Sequence, residues 1–157
     1  MPVRCENAEV QRLHELYLVH VRDWILFERA LLRCKMCREA PVLRPTPERL
    51  ATLRGLLDQM HAACDAHIQS GRAYMDAFQA CGNETLQELR ALDPLIYLDD
   101  MLELLPDLTC EEALVWLRQS DCGGPDPRAA LEHAFTTGKY GLRRGTIIFR
   151  RTSLDNS

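Results

Sequence analysis

Residues 8–37, "AEVQRLHELYLVHVRDWILFERALLRCKMC", decide the fold. Val10, Leu13, Tyr17, His20, Trp24, Phe27, Leu31 and Cys34 recur at alternating steps of three and four. That spacing lines one face of a long helix. A second stripe, His14, Leu18, Val21, Ile25, Glu28 and Leu32, runs beside it. Two adjoining apolar stripes make a face too wide for one neighbouring helix to cover.

The first neighbour lies just downstream. Thr46 is an N-cap, Pro47 suits the first helical position and Glu48 favours the positive end of the helix dipole. From there Leu50, Leu53, Leu57, Met60, Cys64, His67, Gly71, Tyr74, Phe78 and Cys81 keep a heptad rhythm, which Gly82-Asn83 stops. Folded back as an antiparallel hairpin, the two segments place Cys34 opposite Leu50 and Trp24 opposite Met60. His20 then falls by Cys64, and Tyr17 by His67. The second stripe stays open, so Leu18, Val21, Ile25 and Leu32 are expected at a protein interface. Shorter helices from residues 86 to 117, another copy of the chain or a different protein are the candidates to cover it.

Those shorter segments carry their own punctuation. Thr85 to Glu88 and Thr109 to Glu112 each have the form of a capping box. Asp93-Pro94 and Asp126-Pro127 open two further runs, "LIYLDDMLELL" and "RAALEHAF". The last stretch, "KYGLRRGTIIFRR", reads as a short strand or hairpin with basic flanks. The expected architecture is all-α: a long antiparallel helical hairpin over residues 1–84, a short-helix cluster packing on it over 85–138, and a basic β element or tail over 139–157.

Charge follows the same division. Formal net charge is −4 over 157 residues, yet Lys139 onward holds five basic residues against one acid, Asp155. Arg143, Arg144, Arg150 and Arg151 bracket "GTIIF" as a basic patch. An acidic body argues against a dedicated nucleic-acid binder, while the basic end leaves room for phosphate contacts. Helices followed by a hairpin also match the order of a winged-helix domain, with Arg143 and Arg144 in the wing. Such a domain serves protein binding as readily as DNA binding.

Seven cysteines, with no charged-then-apolar signal segment ahead of them, fit reduced intracellular thiols. Cys34-x-x-Cys37 has zinc-site spacing, but a second ligand pair must converge at ~2.0–2.3 Å. The nearest candidate, His61-x-x-Cys64, lies about 16 Å along the second helix. Cys34 therefore reads as the last member of the apolar seam. The hairpin register gathers a better metal candidate in His20, Cys64 and His67, although three semi-polar side chains packed in a seam explain the same pattern. Asp99, Asp100 and Glu103 cluster carboxylates on one helix, as an exposed acidic face does. No phosphate loop, His-Glu-x-x-His or nucleophile elbow is present. No run approaches the ~20 apolar residues that a membrane helix needs.

These readings define an expected function. The chain is a non-enzymatic intracellular scaffold or adaptor without a cofactor, working through helix–helix contacts in a homo- or hetero-oligomer. A nucleic-acid-associated factor using the basic end and a zinc-binding regulatory protein are the alternatives.

Overall fold

A computed structural model describes residues 7–39, 46–93, 95–120, 124–143 and 145–148. Six α-helices account for most of them: α1 (Ala8–Glu39), α2 (Pro47–Ala80), α3 (Asn83–Ala91), α4 (Leu95–Leu104), α5 (Cys110–Gln119) and α6 (Pro127–Thr137). The chain divides into two compact units. Residues 12–82 form one, and the residues from Asn83 onward form the other together with the start of α1.

Most of the helices begin where a side chain satisfies an orphan amide. Asn7 Oδ1 accepts from the Glu9 amide at 2.9 Å and starts α1. Thr46 Oγ1 accepts from the Arg49 amide at 3.1 Å, with Pro47 opening α2. Thr109 and Glu112 form a reciprocal capping box at the start of α5, at 2.9 and 3.2 Å. Asp126 caps α6, which ends on Gly138 in the left-handed region at φ 66°. Thr109→Ala removes the box acceptor, and chemical denaturation is expected to show a loss of about 1 kcal/mol.

Thr85 departs from the expected pattern. α3 starts two residues earlier, at Asn83, and Thr85 is buried inside it. Its hydroxyl donates to Glu9 Oε2 at 3.0 Å instead of capping. That bond ties the first turn of α1 to α3.

The smaller helices enclose an apolar core. Leu98, Leu108, Leu117, Leu131, Leu142 and Ile147 are each almost completely buried. α5 packs on α6, and a 3₁₀ turn at Lys139–Gly141 touches both α4 and α6. Tyr97 meets Trp116 edge to face, with ring centroids 5.9 Å apart.

The C-terminal β element expected from "GTIIF" is not seen among the described residues. Tyr140 and Gly141 both adopt positive φ, 56° and 81°, and close a 3₁₀ turn where an extended strand would need to begin. Thr146–Ile148 then pairs with Leu108–Cys110 through one parallel bridge, Thr109 to Ile148. The Cys110 amide donates to Ile148 O at 2.8 Å, and the Ile148 amide to Leu108 O at 3.0 Å. Burying Ile147 takes the place of a hairpin partner. Among the described residues no strand pair forms the wing of a winged-helix domain.

Candidate functional site

The hairpin of residues 12–82 carries the most unusual chemistry in the chain. α1 and α2 run antiparallel, with aromatic and imidazole rings meeting along their seam. Tyr17 lies against Tyr74 at 5.2 Å, and Tyr74 against Phe78 at 5.8 Å. His20 and His67 stack face to face, 4.6 Å apart and 6° from parallel. Phe27 extends that stack, 6.1 Å from His67. At the far end the Arg49 guanidinium donates to the Cys37 carbonyl.

Gly71 makes the histidine stack possible. A Cβ placed on it would lie 2.9 Å from His20 Cε1. The α2 backbone therefore approaches the imidazole as closely as a residue without a side chain allows. Beside this point Tyr17, His20, His67, Ile68, Gly71, Arg72, Tyr74, Met75, Asp76 and Gln79 line an open groove of about 530 Å³.

The seam polarises its own groups. Burial pushes the His20 pKa down, and His67 pushes it the same way. A hydrogen bond to the His67 main chain and the Asp23 carboxylate oppose this without cancelling it. Burial raises the Tyr74 phenol, helped by neighbouring Tyr17 and Cys81. The Nδ1 atoms of His20 and His67 are sealed from solvent and have no hydrogen-bond partner among the described residues.

The structure brings together some of the expected site residues and separates others. His20 and His67 meet, but as stacked rings, with Cys64 outside the stack. Cys34 is buried, Cys37 and Cys64 are half-buried, and all three are free thiols. Among the described residues no three His, Cys, Asp or Glu side chains converge on a metal-sized site. Leu18, Val21 and Ile25 are 3%, 5% and 3% exposed, whereas Leu32 is 56% exposed. Of the basic patch, Arg143 is exposed, while Arg144, Arg150 and Arg151 lie outside the described residues.

A line of exposed apolar side chains runs along α2. None of its 34 residues is buried. Leu50, Leu57, Ile68 and Met75 remain 55%, 38%, 44% and 46% exposed. Their spacing of seven, eleven and seven residues keeps them within about 20° of one line along the helix, at 100° per residue. The line runs for about 37 Å at a rise of 1.5 Å per residue. It flanks the half-buried positions Leu53, Met60, His67 and Tyr74.

A second cluster, outside the hairpin, involves Asp93, Lys139 and Tyr140. Asp93 Oδ2 accepts from Lys139 Nζ and from the Tyr140 hydroxyl, and Oδ1 accepts from the Leu95 amide at 3.0 Å. Burial alone would raise the Asp93 pKa, yet the Lys139 contact and the Leu95 amide hold it below the ordinary carboxylate value. These contacts pin the 3₁₀ turn to the start of α4, a structural duty. Sequence reading missed this link because its partners lie 46 and 47 residues apart.

Compared with protein-family models, curated proteins and solved structures, the chain matches none of them. No helix among the described residues is long and apolar enough to cross a membrane.

Proposed function

We propose that this chain is a non-enzymatic scaffold or adaptor subunit whose α2 helix docks a helix of another chain. One observation carries the reading: a 34-residue helix with no buried residue and four large apolar side chains in line. A helix this long draws most of its stability from packing an amphipathic face, and intrinsic propensity supplies little. Its seam with α1 uses only part of the apolar side-chain area, and the Leu50–Met75 line is left for a further helix. Large apolar side chains exposed in a row along one helix suit an interaction site.

The test is site-specific photo-cross-linking in the native cell. A photoreactive residue replacing Leu57 sits on the line, and one replacing Ala66 sits on the opposite side of α2. A discrete protein adduct is expected from position 57 and not from 66. Adding Ile68→Glu should cut its yield at least about tenfold, as the loss of an interface anchor worth ~2 kcal/mol does. No adduct at 57, together with a strictly monomeric chain by light scattering, would sink the reading.

A further inference from the structure

We propose that the stacked His20–His67 pair is an acid-sensitive clasp, in which proton uptake loosens the α1–α2 hairpin. The geometry sets up the switch. Two imidazoles lie 4.6 Å apart and nearly parallel, where the side-chain-free Gly71 backbone meets the His20 ring. Each has an Nδ1 that water does not reach and no described residue bonds. A neutral ring leaves that nitrogen as an unused acceptor, at modest cost. A protonated ring puts there an N–H that no described residue accepts, in a half-buried site, and the bond to the His67 main chain that favours a charged His20 does not offset that loss. Protonating both rings also stacks two like charges face to face.

The surrounding charges do not relieve this cost. On α1, Asp23 is the carboxylate that favours a charged His20, but it already accepts from the Arg22 guanidinium at 2.9 Å. Tyr17 and Tyr74 offer uncharged rings. On α2, Arg72 opposes a second cation and Asp76 favours one. Both are exposed on the groove rim, where water screens them. Phe27 beyond His67 gives a protonated ring some cation–π attraction, which does not supply the missing acceptor.

The sign of the pH dependence follows from the lowered His20 pKa. The opened hairpin takes up its proton near the ordinary value of about 6.5, and the closed hairpin takes it up only at lower pH. Closure is therefore fully favoured above about pH 6.5 and weakens as pH falls from there toward the folded pKa. The Asp93 carboxylate, held below its ordinary value of 3.8, titrates in a separate and more acidic window.

Amide hydrogen exchange on the full chain, corrected for the intrinsic pH dependence of exchange, reads this directly. Peptides from residues 12–39 and 47–80 should open more at pH 5.5 than at pH 7.5, by up to about tenfold, the ceiling for one histidine of ordinary pKa about 6.5 that stays uncharged in the closed hairpin. Peptides from residues 95–137 should change far less. In a His20→Gln/His67→Gln variant the hairpin should exchange equally at both pH values. Persistence of the full acceleration in that variant, or equal protection of the native hairpin at both pH values, overturns the proposal. Should the variant not fold, the NMR titration of His20 in the native chain decides. A midpoint below 6.5 supports the clasp, and one at or above 6.5 refutes it.

Discussion

Leu117→Ala is expected to lower stability by about 2–5 kcal/mol, the range for a buried leucine whose cavity cannot collapse. Leu117 is 0% exposed in the middle of α5, the helix that packs on α6. The facing helix is itself tightly buried, with Leu131 and Ala134 each 0% exposed, which leaves little room for collapse. Val115, two residues away and 40% exposed, provides the control. Its alanine variant should stay within about 0.5 kcal/mol of the native chain, as exposed substitutions do. Urea denaturation of the two variants compares them on one helix. Similar losses from both would mean that α5 is rotated from the position described.

The second large effect is a reversal of sign within one helix. An exposed glycine in a helix gains up to about 1 kcal/mol on replacement by alanine. Gly55→Ala should show that gain, because nothing lies within 4 Å of the new Cβ. Gly71→Ala should instead cost about 1–3 kcal/mol, the usual penalty of overpacking. Its Cβ would sit 2.9 Å from His20 Cε1 and 3.2 Å from Nδ1. The ring cannot retreat easily, because His67 stacks against it. Thermal melts of the two variants suffice, and a stabilising Gly71→Ala would mean that the helices do not meet there.

What the sequence discloses depends on how local the cause is. Helix starts at Thr46, Thr109 and Asp126 are legible because the cap and the amide it satisfies lie within three residues of each other. The hairpin itself is legible from two long apolar periods around a Thr46-Pro47 restart. Its register is not. The heptad count places His20 by Cys64 and Tyr17 by His67, whereas the rings meet as His20 with His67 and Tyr17 with Tyr74. Sliding the helices by one to two turns keeps apolar residues in the seam, so periodicity alone cannot choose between registers. Ring stacking and the missing side chain at Gly71 make the choice.

The stripe of Leu18, Val21, Ile25 and Leu32 shows the same limit from another side. Its apolar character is plain, and three of its four members are buried. Periodicity establishes that a face needs a cover without naming what provides it. On α2 the opposite holds. The heptad rhythm assigns Leu50 and Leu57 to the seam, whereas they are 55% and 38% exposed and line up with Ile68 and Met75 at its edge. That line becomes apparent only when exposure is mapped onto the helix.

The free thiols give the molecule a pair of internal reporters. Cys34 is buried on α1 within the hairpin, and Cys110 is buried at the head of α5 among the shorter helices. Burial raises the Cys110 pKa, which further lowers the fraction present as reactive thiolate. Alkylation at either position must wait for its own surroundings to part. The rates at which the two sulfurs are modified thus record separately how often each half of the chain breathes, with no label introduced from outside.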